Sequence, residues 1–174
     1  MIYPVKMPIM LFPYKEHNYK KETLLDIIEN TPKGSITEED TIISETDYFL
    51  NDGLNKKYIE ILGEDFFRQI DNAFCEINHG PWSTQVAWVQ SYLKNETHSW
   101  HKHHSCLWAC VYYLELPKDS PGTLMKNPIT NEIFDLGAKE GDVIIFPSQI
   151  VHCSPPNTSN QRKTIIGLNI DIPE

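Results

Sequence analysis

Residues Thr97–Val111 read THSWHKHHSCLWACV and hold four of the chain's seven histidines, His98, His101, His103 and His104. Clustered imidazoles need a physical reason. A core would have to satisfy every ring nitrogen, and a solvated surface has no special use for them. The run Gln85–Leu93 before the cluster and Leu107–Leu116 after it are rich in aromatic and β-branched residues and read as strands. Residues two apart on an extended chain point to the same side, so His101 and His103 can converge on one ion while Lys102 points away. Imidazole suits iron, zinc, copper and nickel alike, so this stretch alone selects no metal.

Working outward, the same strand grammar continues to the C-terminus. Asp142–Phe146 and Thr164–Ile172 are further short apolar runs, separated by Pro, Gly, Asn and Asp, which suits a sandwich or barrel. Upstream the periodicity changes. Asn18–Asn30 places Leu24, Leu25, Ile27 and Ile28 on one side of a helix that Thr31-Pro32-Lys33-Gly34 ends. Leu54–Asn78 repeats Leu54, Tyr58, Ile61, Leu62, Phe66, Ile70, Phe74 and Ile77 at steps of three and four, an apolar stripe suited to packing. Ile42–Leu50 reads as an extended segment. Helices first and strands after give an α+β class, with helices bracing one face of a β core. We expect one domain over 1–174, with 1–80 mostly helical support and 81–174 a β core carrying the metal site.

Composition limits the partners. The chain has 174 residues, 40% of them hydrophobic and 22% charged, an ordinary globular balance. A net charge of −9 argues against general affinity for nucleic acid, because basic contacts to phosphate supply most of that affinity. An apolar run of ~18 residues and a secretory leader are both missing from the pattern, so a soluble, cytoplasmic protein without membrane partners is expected. Cys75, Cys106, Cys110 and Cys153 lack the spacing of a disulfide framework or of paired CxxC zinc ligands and read as buried thiols.

Two distant features give the histidine cluster its context. Gly141–Asn157 reads GDVIIFPSQIVHCSPPN: a turn launches an apolar strand, Pro147 ends it, and His152 follows. Arg162 stands ten positions after His152, ahead of the last strand. An arginine fork at the mouth of a β-barrel can receive a carboxylate through two parallel charge-assisted hydrogen bonds. Alone, His152 reads as a histidine near a strand and Arg162 as a solvated loop residue; together with His101 and His103 they form an ordered set.

That set, HxH, then a strand ending in FPS with a following His, then Arg, resembles the iron(II)- and 2-oxoglutarate-dependent oxygenases, whose usual pattern is HxD/E…H…R on a double-stranded β-helix. More narrowly, AWVQSYLKNETHSWHKHHSCLWACVYYLELP and GDVIIFPSQIVHCSPPNTSNQRKTIIGLNID are similar to oxygenases of this kind common in marine bacteria and their phages. The likeness runs from about Ala87 to Asp171. It implies a jelly-roll core with N-terminal supporting helices, and a cytoplasmic location in the host if the chain is phage-encoded. It implies iron(II) held by His101 and His152, 2-oxoglutarate chelating the metal with its far carboxylate gripped by Arg162, and O2 as oxidant. Succinate and CO2 are released and a substrate is hydroxylated.

One departure stands out: His103 occupies the place of the usual carboxylate, leaving the site one negative charge short. His103 as third ligand, His103 as first histidine with His101 outside, and a water in the carboxylate's place remain open. Lys102 and His104 are expected to face away or toward the substrate entrance, and His98 to be a surface residue. Tyr112 and Tyr113 point opposite ways on one strand, so one can face the cosubstrate. Asn169 can hydrogen-bond in the site or serve the barrel interior. Two rivals remain: a cupin-like three-histidine metalloprotein that uses no 2-oxoglutarate, in which Arg162 has no role, and a mixed site in which Cys106, Cys110 or Cys153 joins the histidines on zinc. The substrate is open between a protein side chain or peptide, a small molecule and a nucleotide, and a homo-oligomer is compatible with the sequence.

Overall fold

The computed structural model describes residues 7–50 and 53–172. In chain order the elements are β1 (Met10–Pro13), α1 (His17–Glu29), β2 (Gly34–Glu38), β3 (Thr41–Thr46), α2 (Lys57–Glu76), β4 (Ser83–Tyr92), β5 (His98–His101), β6 (Trp108–Glu115), β7 (Leu124–Lys126), β8 (Ile133–Asp135), β9 (Asp142–Pro147), β10 (His152–Ser154) and β11 (Lys163–Asp171). They form a seven-stranded sheet, β1-β9-β6-β11-β4-β3-β2, and a four-stranded sheet, β5-β10-β7-β8. Every described pairing between these strands is antiparallel. This is the expected α+β jelly roll.

Strand alternation divides the protein into two cores. On one face of the large sheet, Cys110, Tyr112, Leu114, Ile166, Leu168 and Ile170 pack against α1 and α2. The stripe on α2 that meets them is Tyr58, Leu62, Phe66, Ile70 and Phe74, one residue per turn, all buried. Burying each such aliphatic or aromatic side chain contributes about 1.5–3 kcal/mol, so the stripe holds the helix more firmly than its propensities do. Gly63 interrupts α2 with φ 63 and ψ −171, a backbone region open essentially to glycine. The Tyr14 hydroxyl (3.2 Å) and the Lys20 ammonium (2.8 Å) both donate to the Leu62 carbonyl beside this break.

On the opposite face, Tyr92, Ala109, Val111, Tyr113, Ile144, Phe146 and Ile165 turn toward Met125 of the small sheet. The open part of this inner space is the cavity described below.

The first third is less helical than its periodicity suggests. β1, β2 and β3 join the large sheet at its two ends, beside α1 and α2. β2 and β3 carry few apolar residues because they lie at or near an edge, and β1, apolar throughout but only four residues long, shows no alternation. β5, β7, β8 and β10 span three or four residues each, too few to show a period of two. Among the described residues, no helix is long and apolar enough to cross a membrane.

Candidate metal and cosubstrate site

β5 and β10 are paired in register, His152 directly opposite His101. Two histidines distant in sequence therefore share one face of the small sheet. His103 lies just beyond β5 and is held by its backbone N–H, which donates to the Ser148 carbonyl at 3.1 Å. One ring nitrogen from each of His101, His103 and His152 lies within 4.8 Å of the other two. Of the openings left by sequence, this geometry brings His101 and His103 together with His152.

Each ring is aimed by its other nitrogen. His101 Nδ1 donates to the Ser99 carbonyl (2.7 Å) and His152 Nδ1 to the Ile150 carbonyl (2.9 Å). His103 Nδ1 donates to Asn169 Oδ1 at 2.7 Å. A carbonyl only accepts, so Nδ1 carries the proton and Nε2 offers its lone pair, the arrangement a metal-binding histidine needs. Burial lowers the pKa of all three rings, His152 furthest, with the neighbouring imidazoles adding to the effect, so the lone pairs stay free at neutral pH. Three neutral nitrogen donors on one wall of a cavity fit iron(II), and equally nickel or zinc.

His98 is not the surface residue expected from sequence. Its ring stacks on His101 with centroids 3.9 Å apart and planes 18° apart, and it lines the cavity. Burial pushes its pKa down to about 3, with the His101 ring next in effect. Lys102 and His104 are exposed at the cavity rim, toward the entrance.

The cavity, about 410 Å³, has a floor built on the large sheet. Trp88, Gln90 and Tyr92 alternate along β4, and Ile165, Gly167 and Asn169 along β11. Trp88 lies against Gly167, where an added Cβ would come within 2.6 Å of the indole. The glycine is required by that close approach. Trp88 in turn packs beside the His103 ring, with centroids 5.8 Å apart.

Arg162 is not brought to the cavity. Its Nε donates to Glu115 Oε2 at 2.8 Å and its guanidinium also pairs with Glu29 at the end of α1. The reason is parity: Ile165, Gly167 and Asn169 face the cavity, so the strand's next inward position is Lys163, and Arg162 precedes it on the helix-facing side. Lys163, which sequence reasoning passed over, is 1% exposed. Its ammonium donates to the Pro121 carbonyl and to Ser154 Oγ, each at 2.9 Å, and stands 5.5 Å from the Tyr92 ring centroid. Ser154, Tyr92 and Thr123 all line the cavity. Among the described residues no carboxylate pairs with Lys163, and burial lowers its pKa to about 8. Two of its three N–H donors are occupied, leaving one for a ligand.

Neither Tyr112 nor Tyr113 offers a free hydroxyl. Tyr112 faces the helices, its hydroxyl 2.8 Å from His17 Nδ1 and its ring edge-on to Tyr14. Tyr113 faces inward, but its hydroxyl donates to Thr123 Oγ1 (2.7 Å) and accepts the Thr123 N–H (2.9 Å). The inward tyrosine lining the cavity is Tyr92, bonded to Gln90 Oε1 at 2.7 Å. Cys106, Cys110 and Cys153 are buried free thiols and Cys75 is exposed; the histidine group contains no cysteine. The mixed zinc site therefore has no support.

Comparison with known proteins agrees with this geometry. Residues 86–169 match a family model described as "Putative 2OG-Fe(II) oxygenase". No curated protein matches the sequence. A solved oxidoreductase of the 2OG-Fe(II) oxygenase family from Burkholderia pseudomallei is similar over 94% of this chain and 85% of its own, with TM-score 0.74 and 14% identity. A prolyl hydroxylase from Trichoplax adhaerens, solved with a hypoxia inducible factor peptide fragment, is similar over 94% and 83%, with TM-score 0.68 and 13% identity. HygX from Streptomyces hygroscopicus, solved with nickel, 2-oxoglutarate and hygromycin B, is similar over 95% and 83%, with TM-score 0.70 and 8% identity. The cupin-like alternative gains nothing from these matches. Residues 86–169, the segment that carries the three histidines, are thus similar to the 2OG-Fe(II) oxygenases, and the whole described chain shares its fold with solved members of that group.

Proposed function

We propose that this protein binds iron(II) through His101, His103 and His152 and 2-oxoglutarate between that metal and Lys163, and hydroxylates a substrate admitted through the rim. The observation that carries the reading is a buried ammonium that pairs with no carboxylate among the described residues, behind the cavity that three aimed imidazoles line. An isolated buried charge is costly, so Lys163 is best explained as the receptor for an anion that arrives with the reaction. Lys163 takes the role that the sequence reading gave to Arg162.

When bound, iron(II), 2-oxoglutarate and O2 supply oxidative decarboxylation to succinate and CO2, coupled to insertion of one oxygen atom into a substrate C–H bond. The chain's own work is positional. Ser99, Ile150 and Asn169 hold the Nδ1 protons of the imidazoles, keeping Nε2 directed inward. Lys163 and Ser154 would hold the cosubstrate's far carboxylate, and Trp88, packed on Gly167, forms the floor beneath it. We keep one catalytic domain in the cytoplasm, where three buried unpaired thiols stay reduced.

The direct test is succinate formation from 2-oxoglutarate by iron-loaded protein in air. We expect turnover from the wild type and none from His152→Ala, which also loses metal; wild-type protein that binds iron and releases no succinate would sink the reading. A second outcome concerns Asn169. Asn169→Ala leaves His103 Nδ1 without its acceptor and is expected to weaken iron(II) binding about 10–100-fold, measured by competition with a chromophoric chelator. Unchanged metal affinity would place His103 outside the ligand set.

A further inference from the structure

The rim of the cavity has a chemistry that the metal and cosubstrate do not use. Tyr48 lines the mouth yet is 54% exposed, and Phe49 beside it is 62% exposed. The rings form a continuous series: Phe49 edge-on to Tyr48 at 5.9 Å, Tyr48 edge-on to Trp88 at 5.6 Å, and Trp88 beside His103. This aromatic path runs from solvent to the histidine cluster. It is also anchored. Asp47, immediately before Tyr48, is fully buried and accepts from Val89 N–H (2.7 Å), Lys56 Nζ (2.8 Å) and the Tyr58 hydroxyl (2.8 Å). The Leu50 N–H closes the turn onto the Asp47 carbonyl at 3.0 Å. Solvent-facing aromatics held at a cavity mouth by buried hydrogen bonds suit an occupant that covers them.

The charge at the mouth is opposite to that of the chain as a whole. With 24 acidic against 15 basic residues in the sequence, no aspartate or glutamate is among the described residues lining the cavity. Lys102 stands on the rim with His104 beside it. Low-dielectric walls concentrate such a field in the cavity mouth and draw anions there. At about 410 Å³ the cavity is within the range of small-molecule sites and must also hold the cosubstrate.

We propose that the substrate is a small amphipathic acid, its apolar ring or chain against Tyr48, Phe49 and Trp88 and its anionic group toward Lys102. This inference rests on the oxygenase reading and specifies the substrate class of that site. Tyr48 and Lys102 are then the specificity-determining residues.

The test uses protein loaded with nickel(II) and saturating 2-oxoglutarate, so the metal and Lys163 are occupied and no turnover occurs. Three probes of one shape are compared by saturation-transfer NMR and calorimetry: 3-phenylpropionate, 3-phenylpropanol and 3-phenylpropylammonium. The acid is expected to bind at least about tenfold more tightly than the ammonium, with the alcohol between them. Lys102→Glu is expected to reverse that order, and Tyr48→Ala to weaken all three probes by roughly tenfold. Equal binding of acid and ammonium, no binding of the acid, displacement of 2-oxoglutarate by the acid, or insensitivity to Lys102→Glu would each overturn the inference. Titration of 2-oxoglutarate into the same nickel-loaded protein separates the two levels. If it binds and the probes behave otherwise, only the substrate class fails; if it does not bind, the oxygenase reading fails and the inference with it.

Discussion

Lys163→Met is expected to weaken 2-oxoglutarate binding by on the order of a hundredfold or more while metal content stays at the wild-type level. Removing one partner of a buried, hydrogen-bonded charge pair costs about 2–5 kcal/mol of binding. Methionine replaces most of the lysine stem, so the loss reports the ammonium rather than a void. The fold should tolerate the change. A lysine whose folded pKa of about 8 lies below its ordinary 10.5 destabilises the protein while charged, and that cost fades only as pH rises toward the ordinary value. Replacing it at neutral pH removes the cost and offsets the loss of its bonds to Pro121 and Ser154. Wild-type affinity for 2-oxoglutarate should be flat below pH 8 and decline above it, because only the ammonium attracts a carboxylate. An arginine clamp would show no such decline, since guanidinium stays charged throughout. Arg162→Ala is accordingly expected to leave 2-oxoglutarate affinity near wild type and to loosen the end of α1 through loss of Glu29 and Glu115 as partners. Calorimetry on the nickel-loaded protein across pH checks all of these; a Lys163→Met protein that binds as tightly as wild type would refute the assignment.

Asp47→Ala is expected to cost about 3–5 kcal/mol of folding stability, because removing one member of a buried ion pair forfeits the attraction and keeps the desolvation of the other. The Asp47 side chain is 0% and the Lys56 side chain 3% exposed. For a chain of this size the loss corresponds to a fall in Tm of roughly 10 °C, read by calorimetry or circular dichroism. Asp47→Asn, which keeps an acceptor for Val89 N–H, should fall between mutant and wild type. A fall of only a degree or two for Asp47→Ala would mean that the Tyr48 turn is held by something other than this carboxylate.

The long elements were legible because their patterns are long. α2 advertises its stripe over five turns, and β4, β6, β9 and β11 are apolar runs bounded by turn residues. The short strands of the small sheet were invisible, yet they make the site, since β10 places His152 against His101. The convergence of His101, His103 and His152 was readable from spacing and order. The Arg162 assignment failed at a boundary. The apolar run alone begins the strand at Thr164, one residue late, and so leaves Arg162 on a loop with no face assigned. Counting back by twos from Asn169, already a candidate for the site, passes Gly167 and Ile165 and arrives at Lys163. The same rule leaves Arg162 on the far face. The tyrosines were missed differently. Alternation sorts Tyr112 from Tyr113, but only tertiary contacts reveal that His17 and Thr123 already occupy their hydroxyls.

The contact between Gly167 and Trp88 limits how this protein can diversify. No side chain can be added at position 167 without moving the indole, and the indole cannot move without disturbing both His103 and the Tyr48 ring. The floor of the cavity is therefore a fixed dimension. The exposed rim residues Phe49, Lys102 and His104 stand outside that lock, so the mouth of the cavity can change residue by residue while His101, His103 and His152 keep their places.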